Sequence, residues 1–415
     1  VKAPQPYKAK IINDPIYGFI KIPSRFVFEL IEHPMVQRLR RIKQLGLTFY
    51  VYPGATHTRF QHALGAVHLM DQAIQDLRLK GLEITDEEAE AVLTAILLHD
   101  IGHGPFSHAL EESIIPGINH EDLSALLMHR LNEEYNGKLE LALRIFNNRY
   151  EKKFLHQLVS SQLDMDRLDY LRRDSFFTGV TEGVIGSDRI IKMLNVVNDQ
   201  LVVEAKGIYS IEKFLVARRL MYWQVYFHKT VIAAEFLLVK LLQRAKELAL
   251  DNTEIYATPP LDFFLRNRLL KKDMKASGDL IIENFVSLDD DDLMVSAKAW
   301  TKHPDFVLSM LAKSLINRTL PKIRIQKRPF EKSLISRIKE NVIREYGWPE
   351  ESIHYIVYAD TISNKAYSQF DDRISILYNN GETEDIAGAS DIFNLNELYK
   401  TAKKYFLCYP KNCGI

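Results

Sequence analysis

Cysteine is almost missing: Cys408 and Cys413, close together near the end, are the only two in 415 residues. Two such thiols make neither a disulfide framework nor a zinc-ligand pattern, and a reducing cytoplasm is the expected home. Charge of one sign is lacking too. The 54 basic residues are matched by 54 acidic ones, so no global attraction to nucleic acid or to a membrane surface follows. No stretch approaches the ~18 consecutive apolar residues of a membrane span, and the opening VKAPQPYKAKII lacks the apolar centre of a secretion signal. Neither internal repeats nor low-complexity tracts occur. What is present is apolar mass: at 47% hydrophobic residues the chain can bury substantial cores, and its length suits two or three domains.

From about residue 24 to 250 apolar residues recur at three- and four-residue spacing, which predicts helices with few strands. FVFELIEHPMVQRLRRIKQLG gives two short helices broken near Pro34, and TRFQHALGAVHLMDQAIQDLRLKG a longer one stopped by Gly81. Thr85 followed by Glu88 reads as a capping box, and Gly102 with Gly104 ends that helix, so His99 and Asp100 fall at its C-terminal end. FLHQLVSSQLDMDRLDYLRRD reads as one helix, and the run from Ile211 to Leu250 as another with a bend. Past residue 250 the texture becomes α+β, with KIRIQKRP, IHYIVYAD and DRISILYNNGET alternating as strands do. The expected architecture is therefore mainly α: a helical domain over 1–250, then a smaller α+β region over 251–415 with a structural or oligomerisation role. The acidic run Asp289 to Asp292 is read as a solvated helix start favoured by the dipole.

Ten of the 13 histidines precede residue 160. Most, including His33, His68, His129 and His156, read as ordinary hydrogen-bonded residues. The stretch LLHDIGHGPFSHAL does not, because several imidazoles and a carboxylate delivered into a glycine-broken turn must find partners or a metal. A divalent ion wants neutral imidazoles and carboxylates held by rigid elements. His99 and Asp100 can turn toward one ion, with His62 in RFQH and Asp166 in LDMDRLDY as further ligand candidates.

These residues, His62, His99, Asp100 and Asp166, match in order the H…HD…D pattern of the HD superfamily of metal-dependent phosphohydrolases. DPIYGFIKI, QRLRRIKQLGLTFYVYPGATHTRFQHALG, NHED, DMDRLDYLRRD and VYFHK further resemble blocks of the dNTP triphosphohydrolases, among them the animal enzyme that joins a sterile-alpha-motif to an HD domain. The resemblance covers residues 10 to 250 well and the rest loosely, and no sterile-alpha-motif domain is expected ahead of the DPI block.

The resemblance implies hydrolysis of a deoxynucleoside triphosphate to the deoxynucleoside and intact triphosphate, by attack of a metal-activated water at the α-phosphorus. Manganese, iron, magnesium, nickel and zinc all suit two imidazoles and two carboxylates. His108 is the candidate general acid, with Glu111 as its partner where the family has aspartate, and His120 completes the acid–base group. Arg59, His103 and Arg218 match phosphate-contacting positions, and Arg167 stands where lysine is usual in the animal enzyme, with phosphate contact expected of it too. Arg167, Tyr170 and Asp174 lie at i, i+3 and i+7 on one helix face. By family resemblance Tyr170 packs on the sugar, Asp174 with Gln44 binds the 3′-hydroxyl, and Tyr226 helps enclose sugar or base. Lys10, Glu32, Gln37 and Arg40 stand where the animal enzyme binds a regulatory guanine nucleotide, and a homo-oligomer, dimer or tetramer, is expected. Two other readings stay open: an HD hydrolase of a monophosphate or cyclic nucleotide, and a non-catalytic module that senses nucleotides or binds nucleic acid.

Overall fold

A computed structural model describes residues 8–106, 115–364, 373–390, 402–411 and 413. The fold is mainly helical, as expected, with a few small sheets and a smaller mixed region toward the C-terminus. Helix starts follow side-chain chemistry. The Thr85 hydroxyl accepts the Glu88 N–H at 3.1 Å while a Glu88 carboxylate oxygen accepts the Thr85 N–H at 2.8 Å, so the Asp86–Leu98 helix begins and ends where the sequence puts it. The Arg59–Leu79 helix likewise starts with Gln61 Oε1 accepting the Thr58 N–H at 2.9 Å and stops before Gly81.

The stretch expected as one helix over 154–174 is two, Lys153–Val159 and Met165–Thr178. Asp164 causes the break. Its carboxylate accepts the N–H groups of Ser161 at 2.8 Å and Arg167 at 2.7 Å, offering the backbone a turn and a cap in place of a continuous ladder. The long run after Ile208 bends as predicted: the Ile208–Met221 helix opens into a π-turn over Tyr222–Tyr226, and His228 caps the Lys229–Leu250 helix that follows.

Strands intrude on the part expected to be helical. Leu194–Val197 and Gln200–Glu204 form a hairpin through Asn198 and Asp199, both at positive φ. Gln200–Glu204 pairs in parallel with Ser375–Leu377, which pairs with Thr383–Asp385, so a late segment completes a sheet begun in the helical part. All three predicted late segments contain strands, although IHYI is a short helix before the Tyr358–Asn364 strand. Packing does not stop at residue 250. One continuous hydrophobic core runs from Ile20 to Ala389, and the Lys229–Leu250 helix packs on the Pro259–Arg266 and Phe306–Ile316 helices.

The acidic run departs from its solvated expectation. Asp289 and Asp290 are buried, and Asp289 pairs with Arg41. Asp290 accepts the N–H of Lys43 at 2.9 Å and that of Phe106 at 2.8 Å, which ties down the GHGPF turn where Phe106 sits at φ 49°, a strained value for a bulky residue. Arg38, also buried, donates to the carbonyls of Ile101, His103 and Leu288. The turn after His99 is thus clamped from two remote parts of the chain.

Candidate active site

Three helices meet at the histidine–aspartate group. The Arg59–Leu79 helix presents His62, the end of Asp86–Leu98 presents His99 and Asp100, and the first turn of Met165–Thr178 presents Asp166. Asp166 Oδ1 lies 3.1 Å from His62 Nε2 and 3.4 Å from His99 Nε2. Both Nε2 atoms are buried and without a hydrogen-bond partner. Their rings are oriented from behind: His62 Nδ1 pairs with Asp169 at 2.7 Å and His99 Nδ1 with the Ile96 carbonyl at 2.7 Å. An imidazole that donates through Nδ1 presents the Nε2 lone pair forward, the arrangement of metal-bound histidines. The residues present therefore fit a divalent ion held by His62, His99 and Asp166, with Asp100 beside them. Burial opposes a charge on the His62 ring, but the carboxylates of Asp166 and Asp169 push it up to about 10. A cation satisfies those carboxylates in place of that proton.

Asp100 stands at the junction of two groups. Its oxygens lie 3.4 Å from His99 Nε2 and 3.8 Å from His62 Nε2, yet it also pairs with Arg59 and with His103 Nε2 at 3.3 Å. Asp100, His103 and His120 form a second cluster, with the His103 and His120 rings stacked at 3.9 Å. Burial, then the Arg59 charge, keep His103 well below the ordinary histidine range, so it stays a neutral imidazole.

Glycines make these approaches possible at two places. A Cβ on Gly102 would strike the His120 carbonyl and the Ser124 N–H, where Ser124 Oγ donates to the His99 carbonyl and accepts from Gly102. A Cβ on Gly65, inside the Arg59–Leu79 helix, would strike the Asp169 carboxylate and Arg173. Side-chain bulk at either position separates the elements that carry the site.

A cavity of about 850 Å³ opens over this group. Gln44, Arg59, His99, Asp100, His103, His120, Asp166, Arg167, Tyr170, Asp174 and Tyr226 all line it. Arg167, Tyr170 and Asp174 share the helix face predicted for them. Arg218 is buried beside this wall and donates to Gln162 at 3.1 Å, while Arg167 pairs with Asp164. Gln44 Oε1 is buried with no hydrogen-bond donor. Asp174 accepts from Tyr226 Oη at 2.6 Å and pairs with His57 Nε2 at 2.8 Å. Lys10, Glu32, Gln37 and Arg40 lie away from the cavity: Lys10 stands over the Phe28 ring, Gln37 bonds Arg40 and the Ile31 carbonyl, and Arg40 covers Phe60. His108 and Glu111 lie outside the described residues.

Four residues here escaped the sequence reading. Asp169 and His57 orient His62 and Asp174 from behind, and Asp290 braces the turn. The readable signal for Asp169 was its spacing, three after Asp166 and four before Arg173, with which it pairs. The fourth is Glu235, on the Lys229–Leu250 helix, which lines the cavity and meets no carboxyl partner among the described residues.

Burial pushes the Glu235 carboxyl up to about 8 from an ordinary 4.5. The folded chain then keeps a proton that the unfolded chain releases, so stability is lost as pH rises from 4.5 through about 8. Glu235→Gln lacks this penalty. It is expected to exceed the parent protein by roughly 2–4 kcal/mol at a pH of about 9 and to match it at a pH of about 4. Urea midpoints of both proteins across that range check it, and parallel profiles would refute it.

Comparison with known proteins places the chain in a family. Residues 59–174 match the HD domain and residues 185–263 the HD-associated region. An uncharacterized Bacillus subtilis protein, YwfO, is 31% identical over 418 residues, covering 97% of this chain and 92% of its own. A Dictyostelium discoideum protein described as a deoxynucleoside triphosphate triphosphohydrolase SAMHD1 homolog is 32% identical over 258 residues, 58% of this chain and 50% of that one. The solved structure of a phosphohydrolase from Bacteroides thetaiotaomicron superposes with a TM-score of 0.94 at 53% identity, covering 97% of this chain and 100% of that chain. The chain belongs to the HD superfamily of phosphohydrolases. Among the described residues no helix is long and apolar enough to cross a membrane.

Proposed function

We propose that this phosphohydrolase cleaves deoxynucleoside triphosphates to the deoxynucleoside and intact triphosphate. The observation that carries the reading is the cavity itself: His99 and Asp166 line it, with the buried His62 Nε2 3.1 Å behind Asp166, and Arg59, Arg167, Tyr170, Asp174 and Tyr226 line it with them. His62, His99, Asp100 and Asp166 would hold a divalent metal, which would supply Lewis-acid polarisation of the phosphoryl group and activation of water near neutral pH. Arg59, Arg167, Arg218 and neutral His103 bind the phosphates, several cations and donors suiting a chain of phosphates better than a single one. His108, partnered by Glu111, gives its proton to the departing 5′ oxygen, and His120 supports the acid–base group through its stack on His103. Asp174 with Gln44 binds the 3′-hydroxyl, and Tyr170 fills the space a 2′-hydroxyl needs. Lys10, Glu32, Gln37 and Arg40 are assigned to a regulatory nucleotide between copies of a cytoplasmic homo-oligomer. The name of the SAMHD1 relative supports the substrate class.

Product analysis tests this. Purified protein with manganese is expected to convert dNTPs, singly or in pairs, to deoxynucleoside and inorganic triphosphate. Release of pyrophosphate or orthophosphate, or no product from any pair with metal confirmed bound, would refute it.

A further inference from the structure

Two residues of the cavity wall, Gln44 and Asp174, are assigned above to the sugar 3′-hydroxyl, and one residue behind the wall bonds both. His57 lies in the YPGATHT loop ahead of the Arg59–Leu79 helix. Its carbonyl accepts the Gln44 N–H at 3.0 Å, part of an antiparallel bridge that sets Lys43 against Thr58 and gives the Arg59 N–H to the Ile42 carbonyl at 2.9 Å. Its side chain turns to the other member of the pair, with Nε2 standing 2.8 Å from Asp174 Oδ1. The ring is stacked on Phe177 with centroids 4.5 Å apart, and Phe177 follows Asp174 by three residues in the Met165–Thr178 helix. A Cβ on Gly54 would strike the Phe177 carbonyl, so the loop is pressed against the end of that helix.

Asp174 is thereby fixed from two sides. Oδ1 takes the His57 N–H and Oδ2 the Tyr226 hydroxyl, so the carboxylate cannot rotate without breaking a bond, and each oxygen keeps a lone pair for a ligand. Packing alone does not ask for histidine at this position. The side chain is fully buried and its Nδ1 meets no hydrogen-bond partner among the described residues, a cost that an apolar side chain on Phe177 would avoid. What the imidazole adds is a rigid N–H aimed at Asp174, from a residue whose backbone also holds Gln44. We propose that His57 is a positioning residue for the sugar: it sets Gln44 and Asp174 relative to each other and so makes the site demand a 3′-hydroxyl, an inference that rests on the dNTP reading above.

The test is competition between a dNTP that the wild type hydrolyses and its 2′,3′-dideoxy counterpart, mixed at equal concentration, with consumption of each followed by chromatography. Both substrates meet the same active molecules, so the ratio reports relative kcat/KM for the hydroxyl alone, whatever fraction of a variant folds. The wild type is expected to favour the hydroxylated substrate by about a hundredfold or more, as a site built to bond a hydroxyl does. His57→Leu and His57→Asn place no N–H at the Nε2 position and are expected to lower that ratio by about tenfold or more. His57→Gln, whose amide N–H reaches nearly the same point, is expected to retain most of it. A merely structural histidine would slow both substrates alike. An unchanged ratio in the leucine and asparagine variants, or a wild type indifferent to the hydroxyl, would overturn the role of His57 while leaving dNTP hydrolysis standing. A wild type that consumes no dNTP would overturn the underlying reading and this inference with it.

Discussion

Asp166→Ala is expected to purify without its divalent metal and to release no detectable triphosphate, while melting within a few degrees of the parent. The reasons lie in the site's geometry. One Asp166 oxygen stands within 3.4 Å of both bare imidazole nitrogens, and its side chain is 24% exposed, so removal opens no core cavity. Without the ion, His62 and His99 lose a carboxylate that raises the affinity of both for protons, and the two imidazoles remain with Asp100, already held by Arg59 and His103. Two nitrogens and a shared carboxylate leave an ion short of the ligands that fix its geometry. Elemental analysis of the purified variant decides the matter, and retained stoichiometric metal would remove Asp166 from the ligand set.

Asp169→Ala is expected to be the most damaging single change to stability near the site. Asp169 and Arg173 are fully buried and pair through two hydrogen bonds, 2.9 and 3.0 Å, while Arg173 also meets Asp14 at 2.8 Å and Tyr17 Oη donates to Asp169 at 2.9 Å. Deleting Asp169 leaves a buried guanidinium with Asp14 as its remaining carboxylate and a tyrosine hydroxyl without its acceptor, at a cost of about 3–5 kcal/mol. His62 loses its orienting partner as well, and metal affinity is expected to fall roughly 10–100-fold in whatever fraction folds. Urea denaturation with chelator present measures the first effect and metal titration the second. A stability loss under about 1 kcal/mol would show that water or rearrangement replaces Asp169.

How much of this was legible in the sequence depended on range. The Thr85–Glu88 cap, the Gly81 stop and the stripe of Arg167, Tyr170 and Asp174 are local patterns, and their elements stand where the pattern puts them. The break at Asp164 was hidden because apolar spacing continues across SSQLD, and only the side-chain bonds to Ser161 and Arg167 interrupt the helix. The hairpin around Asn198 and Asp199 is too short for its alternation to outweigh the helical surroundings, and its sheet partner lies more than 170 residues away. Asp290 read as one more acidic residue at a helix start, because nothing local announces that it will bond Phe106. Glu235 sits in an apolar helix that reads as core throughout, and its place in the cavity wall depends on how that helix meets the turn at Gly46–Tyr50.

The double clamp on the GHGPF turn has a consequence for the order in which the protein is made. Arg38 needs the Leu288 carbonyl, and Phe106 needs the Asp290 carboxylate, before the segment after His99 is held. A ribosome that has finished residue 174 has translated every proposed metal ligand but neither of those anchors. The turn after His99 is therefore clamped only once the next hundred or so residues have emerged and packed, so its final shape belongs to the later helices as much as to the motif itself.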